Sequence, residues 1–176
     1  MISISYPGET PSKEYYECRY SVLRQPLGFA RGAEILTDDS EAIHAWIASG
    51  AKIVAVGRSH LIPNESDGTG SDHGGPNAAK IPGFGPLADI SNRPAIQIRQ
   101  MGTLVDFRRK GFAAIVLTHL ENHSKVYFSA KVGFLQAREH AIPFYSAQGW
   151  KLIDEPYEIK GIGPHRSMMK YLKEVD

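Results

Sequence analysis

The 176-residue chain has one cysteine, no marked excess of charge of either sign, and no apolar run long enough to span a bilayer. A single thiol, Cys18, cannot form an intramolecular disulfide, and it leaves any zinc site dependent on histidine and carboxylate, so no metal is expected. Twenty Lys and Arg stand against nineteen Asp and Glu, a formal charge of +1. That balance speaks against nucleic acid or an anionic membrane as the main partner. The N-terminus, Met-Ile-Ser-Ile-Ser-Tyr-Pro-Gly-Glu, has neither a basic n-region nor an apolar h-region and does not read as a secretory signal. These scarcities together predict a soluble protein of the reducing cytoplasm, with one domain over residues 1–176 that is long enough to bury a substantial core.

What the chain does have is Met101-Gly-Thr-Leu-Val-Asp-Phe-Arg-Arg-Lys-Gly-Phe-Ala-Ala114, a strand that runs into a cationic glycine turn and then into an amphipathic helix. A helix start carries backbone N–H groups without intrahelical acceptors and the positive end of the macrodipole. Arg108, Arg109, Lys110 and Gly111 therefore surround a position suited to a pyrophosphate. Gly111 permits close approach of backbone to ligand, and the small Ala113 keeps the next N–H accessible. The pattern is neither a Walker loop nor a G-x-G-x-x-G dinucleotide loop.

Elsewhere the chain alternates short periodic segments with turn chemistry. Residues 1 to 6 suit an edge strand, and Ser12 suits the N-cap of a helix running to about Arg24, before Pro26 and Gly28. Ala42 to Ala48 and Lys52 to Ile62 form a hairpin across Ser49-Gly-Ala. Residues 63–94 are loaded with Gly, Pro, Asn, Asp and Ser, a loop insertion expected to be either a substrate lid or disordered. Ala95 to Thr103 is a strand with a phase slip: Ile96 and Ile98 share a face that Met101 leaves, which predicts a β-bulge near Arg99 or Gln100. A helix follows from Gly111 with Phe112, Ile115, Val116 and Leu120 toward the core. Val132 to Gln136 suits a buried parallel strand, Arg138 to Ala147 a short helix, and Trp150 to Ile159 with Arg166 to Leu172 a closing antiparallel pair.

The spacing Arg108-x-x-Gly111-x-Ala113 is similar to the (Q/R)-x-x-G-x-(G/A) acyl-CoA signature of the GNAT N-acetyltransferase superfamily. A second block, Leu135-Gln-Ala-Arg-Glu-His-Ala-Ile-Pro-Phe-Tyr-Ser-Ala-Gln-Gly-Trp150 with Gly161-Ile-Gly-Pro-His-Arg-Ser-Met168, resembles the GNAT ending, where a helix carries A-x-x-F-Y. The opening Tyr20-Ser-Val-Leu-Arg-Gln-Pro-Leu-Gly28 resembles the first helix of a GNAT subgroup with L-R-x-P-L-G. Gln136 departs from the asparagine of that subgroup's L-N-A-R pattern.

This resemblance implies a single-domain GNAT-like α/β fold, with a mixed, mostly antiparallel sheet splayed between its fourth and fifth strands and flanked by helices. It implies acetyl-CoA as cosubstrate and acetyl transfer to a primary amine, on a small molecule or peptide, by direct attack in a ternary complex. A homodimer is compatible with it. Cofactor contacts then fall on Met101 and Thr103, on Arg108, Arg109, Lys110 and Gly111, and on Phe112 and Ala113, with the Leu104 amide near the thioester. A domain that binds acyl-CoA without efficient chemistry is the alternative.

The resemblance also gives Tyr145, in Phe144-Tyr145, the role of acid toward the departing thiolate; a phenol with a pKa of about 10 suits it. The general base stays open, because Gln97 and Gln100 occupy the bulged strand where several GNAT enzymes have glutamate. His60, Glu17, Asp106 and His165 are substitutes, as is a water chain. Cys18, inside an amphipathic helix, reads as a buried apolar thiol. His119 and His123 share a helix face but make an incomplete metal site.

Overall fold

The computed structural model describes residues 1–172. Ser12 caps α1 (Lys13–Leu23), its Oγ accepting from the Tyr15 amide at 3.4 Å, and the helix gives way to a tight turn over Gln25-Pro-Leu27. One large sheet holds β1 (Ile2–Ser5), β2 (Ala42–Ser49), β3 (Lys52–Ile62), β4 (Ala95–Thr103), β5 (Val132–Arg138), β6 (Lys151–Leu152), β7 (Tyr157–Ile159) and β8 (Gly163–Tyr171). Its order is β1-β2-β3-β4-β5-β8-β6, with β7 beside another part of β8. Every pairing is antiparallel except β4 with β5. The expected mixed, mostly antiparallel α/β sheet is what the chain forms.

Helices cover both faces. Val116, Leu117 and Leu120 of α2 (Phe112–Tyr127) pack on Ile43, Ala45, Val54, Ile96 and Ile98. On the other face Tyr15 and Cys18 of α1 pack on Ile53 and Val56. Full burial of such side chains contributes about 1.5–3 kcal/mol each. Trp150 lies against Gly133 of β5, where a Cβ would come within 2.7 Å of the indole. The indole Nε1 donates to Glu121 Oε1 at 2.9 Å, which ties the start of β6 to α2.

Four expectations are corrected. Ile115 is 42% exposed and stands outside the core stripe of α2. The strand β5 runs on to Arg138, a single tight turn spans Glu139–Ala141, and α3 occupies only Ile142–Ala147, with Pro143 in its first turn where a missing N–H costs nothing. The stretch expected to be one strand from Trp150 to Ile159 is broken into β6 and β7 by Asp154-Glu-Pro156. Residues 63–94 carry structure of their own: a two-residue ribbon joins Gly70–Ser71 to Lys80–Ile81, and tight turns follow at Gly85–Ala88 and Ile90–Asn92. Phe84 and Leu87 are buried with Ile62, Ala95, Val132 and Phe134, so an apolar anchor holds this segment to the sheet.

The predicted bulge is present. Arg58 pairs with Arg99 and Val56 with Gly102, so β4 carries one residue more than β3 in that interval, and Gln100 takes φ 57°.

Candidate active site

The site begins where the sheet forks. β4 and β5 pair at Ala95–Val132, Ile96–Gly133 and Gln97–Phe134 and then part, leaving the rest of both strands as unpaired inner edges. A cleft of about 320 Å³ opens from this fork, lined by Met101, Thr103, Arg108, Ala113 and Tyr145 among the expected site residues. The Thr103 hydroxyl is buried there without a hydrogen-bond partner.

At the far end of β4 the chain turns into α2 through two left-handed residues, Arg109 at φ 60° and Gly111 at φ 81°. Only glycine takes that conformation readily. Among the described residues no acceptor takes the amides of Arg109, Lys110 or Gly111, and those of Phe112 and Ala113 open the helix. The side chains divide. Arg108 Nε donates to the Thr103 carbonyl at 3.2 Å, Lys110 lies 4.9 Å over the Phe107 ring, and Phe112 packs half-buried on the core. The turn therefore offers a row of backbone donors with Arg108 leaning toward the cleft and Arg109 in solvent.

Tyr145, in α3, is 8% exposed and reaches both the cleft and the core. Burial raises the pKa of its phenol, against the opposing pull of the Arg138 guanidinium, so it keeps its proton at neutral pH. Of the four substitutes for a general base, only His165 lines this cleft. Its Nδ1 lies 2.8 Å from the Gly163 carbonyl, which can only accept. The proton of the neutral ring is thus on Nδ1, and Nε2 is the lone-pair nitrogen. Burial holds the ring below the usual histidine pKa. Glu17 pairs with Arg31 at 2.6 Å on the surface, Asp106 is exposed, and His60 lines a separate recess 3.9 Å from Asp38.

The cleft also contains residues that motif reading passed over. Asp72 comes from the 63–94 segment and pairs with Arg24 at 2.9 Å. Its carbonyl receives Arg24 Nη2 at 2.8 Å, Arg99 Nη2 at 3.1 Å and Gln100 Nε2 at 3.1 Å. Gln100 Oε1 in turn accepts from Arg24 at 2.8 Å and Arg19 at 3.4 Å. On the same face Gln97 donates to Gln136 at 2.7 Å, and Gln136 donates to the Pro82 carbonyl at 3.0 Å. Arg24 and Arg138 had a signal in sequence, since each stands inside a motif block. Asp72 had none.

Cys18 is a buried free thiol whose pKa burial raises to about 11. His123 Nδ1 lies 2.6 Å from the Tyr6 hydroxyl, and His119 stacks beside it. Among the described residues no group of three or more His, Cys, Asp or Glu is placed to hold a metal ion, and no helix is long and apolar enough to cross a membrane.

The chain is similar to YitI of Bacillus subtilis (strain 168), named an uncharacterized N-acetyltransferase, with 30% identity over 95 residues covering 53% of this chain and 63% of that protein. It thus matches just under two thirds of that relative's length. No family model matches. An aminoglycoside 6'-N-acetyltransferase complexed with coenzyme A superposes with a TM-score of 0.65 over 100% of this chain and 99% of that one, at 12% identity. Arabidopsis thaliana NAA60 in complex with acetyl-CoA superposes with a TM-score of 0.64 over 97% and 98% of the two chains, at 12% identity. The fold of this chain is that of the GNAT N-acetyltransferases.

Proposed function

We propose that this chain is an acetyl-CoA-dependent N-acetyltransferase that passes the acetyl group to a primary amine by direct attack within a ternary complex. The observation that carries the reading is the forked sheet ending in a turn of unpaired amides. Its shape suits a long, narrow ligand with a doubly negative end. The amides of Gly111, Phe112 and Ala113, reinforced by Arg108 and the α2 dipole, receive the pyrophosphate. The inner edge of β4 at Met101 and Thr103, and the unpartnered Thr103 hydroxyl, offer hydrogen bonds to the amide-bearing arm and the thioester oxygen, whereas the Leu104 amide, expected there from the sequence, is spent on the Val54 carbonyl of β3 at 2.9 Å.

Two side chains then move protons. The amine nitrogen forms a bond to the thioester carbonyl carbon, and the carbon–sulfur bond breaks. Tyr145 gives its proton to the departing sulfur, and His165 Nε2 takes one from the attacking nitrogen, so charge balances with no further reactant. Solvent afterwards returns Tyr145 and His165 to their starting states.

The experiment that tests this reading joins a melting series in acetyl-CoA with an assay of CoA release over a panel of amines. A rise in melting temperature together with turnover supports it. A rise without turnover on any amine favours a domain that binds acyl-CoA without chemistry, and no rise at all removes the reading.

A further inference from the structure

The cleft carries more positive charge than the protein neutralises. Arg24, Arg99 and Arg138 line it, and Asp72 is the only carboxylate among its described lining residues. Arg24 already takes that carboxylate, at 2.9 Å. Arg99 directs Nη2 to the carbonyls of Ser71 and Asp72 and has no carboxylate within ion-pair distance; Asp38, on its other side, is committed to Arg58 at 2.8 Å. The Arg138 guanidinium is half-buried and makes no hydrogen bond or ion pair with any described residue; the Asp72 carboxylate acts on it only from beyond ion-pair distance. A guanidinium is charged at any physiological pH, and removing one from water without an anion is costly.

The placement of these cations separates them from the pyrophosphate turn. Strand alternation points Ile96, Ile98, Leu135 and Ala137 to the α2 side. Gln97, Arg99, Gln136 and Arg138 point the other way, as the Gln97–Gln136 bond requires. The bulge keeps Gln100 on that same side. Arg99 lies four residues before Thr103, about 13 Å along an extended strand from the end that feeds the turn. Meanwhile Arg138 sits directly across from His165 in the β5–β8 ladder, and its charge acts on Tyr145. The free cation is therefore next to the groups that transfer protons and on the sheet face opposite α2.

From this geometry we infer that the acceptor is a small amine that carries its own anion, a carboxylate or a phosphate, which Arg138 receives with Arg99 beside it while the amine faces Tyr145 and His165. The inference deepens the acetyltransferase reading and rests on it. A planar guanidinium meets either anion through two parallel hydrogen bonds. The same field disfavours the protonated form of a nearby amine and repels polycations, so polyamines and aminoglycosides are poor acceptors.

The test uses the full chain and acetyl-CoA, with L-glutamate and O-phosphoethanolamine as anionic acceptors, L-glutamate dimethyl ester as the neutral counterpart and spermidine as the cation. The expected result is a kcat/KM for one anionic acceptor above those of the ester and spermidine. Arg138→Gln lowers that value roughly ten- to a hundredfold, the effect of losing a charged hydrogen-bonded pair, and Arg138→Lys restores part of it. Acetyl-CoA KM stays put in both variants. A parallel melting series with the CoA-loaded protein reads binding alone: glutamate or phosphoethanolamine raises the melting temperature of wild type and not of Arg138→Gln. Preference for spermidine or the ester, equal kinetics and equal shifts in wild type and Arg138→Gln, or a rise in acetyl-CoA KM in that variant each overturns the inference. Any of these with the acetyl-CoA melting shift intact leaves the acetyltransferase reading standing; loss of that shift in wild type removes both.

Discussion

Arg99 and Gln100, neighbours in the chain, send their side chains to one acceptor, the carbonyl of Asp72, each at 3.1 Å. In a regular strand successive side chains leave by opposite faces; the extra residue of the β4 bulge puts these two on the same one. The bulge thereby fastens the 63–94 segment over the face of the sheet opposite α2.

Gln100→Ala tests that fastening. It removes the acceptor shared by Arg24 and Arg19 and one of the three donors to Asp72. Leaving buried charged donors unsatisfied costs about 1–3 kcal/mol. The denaturant midpoint should fall accordingly with an unchanged slope, and a variant as stable as wild type would show that Asp72 and the arginines hold each other without Gln100.

Gly111→Val addresses the turn. Open space surrounds the position, so the penalty comes from the backbone, which sits at φ 81° where a β-branched residue is strained by about 1–3 kcal/mol. The variant should melt lower than wild type and lose the stabilisation by acetyl-CoA, which at a hundredfold excess over Kd amounts to about 2.7 kcal/mol. A folded Gly111→Val protein with the full shift would remove the pyrophosphate assignment.

Tyr145→Phe keeps the ring against Trp150 and Phe144 and deletes the proton. General acid catalysis contributes about 10²–10⁴-fold, so single-turnover acetyl transfer should slow within that range while acetyl-CoA affinity holds. Equal single-turnover rates would leave Tyr145 as packing alone.

His165→Asn deletes the proton-accepting Nε2. In wild type, kcat/KM should fall as pH drops through the His165 pKa, which burial places below the usual value of about 6.5. The asparagine variant should be slower by about 10²-fold or more, with the acidic limb gone. An identical limb in both proteins would assign it to the acceptor amine instead.

Acid stability follows from two other histidines. Burial holds His44 down to about 4 and His60 to about 3, so both are neutral in the fold. Unfolded, they titrate near about 6.5 and bind protons that the native state refuses. Their contribution is complete above that pH and declines as pH falls toward 4 and below. The melting temperature should be level from pH 8 to 7 and drop progressively from about 6.5 downward; His44→Gln should flatten part of that drop if the variant folds.

Much of this was legible because the chemistry is local. The glycine turn, the hairpin, the Ser12 cap and the bulge each leave a signature within about ten residues, and the phase slip between Ile98 and Met101 marked the inserted residue directly. The place of Tyr145 beside the cleft is one the motif pointed to. The ionic centre of the cleft was not legible: Asp72 meets Arg24, Arg99 and Gln100 across 48, 27 and 28 positions of chain, and polar loop composition hides the one carboxylate that reaches the cleft among others, Asp67 and Asp89, that serve their own turns. Composition also masked the order of residues 63–94, since Ile81, Phe84 and Leu87 are a few apolar residues among many turn formers, yet they are buried and hold the segment down. Arg138 was read as the start of a helix because the motif block runs unbroken past it. Its alternation with Gln136 belongs to β5.

The contact of Phe84 with Phe134, ring centroids 5.0 Å apart, falls on the last residue pair that β4 and β5 share before they diverge. The long insertion is in that sense a keystone, seated at the crotch of the fork. Its two parts should tolerate engineering differently. Exchanges at the exposed positions of 63–67 fall on the recess beside His60 and its surroundings and leave the cleft lining alone, whereas a side chain at Gly68, which would meet the Phe84 ring, or grafts that replace 79–94 will loosen the joint at the base of the fork.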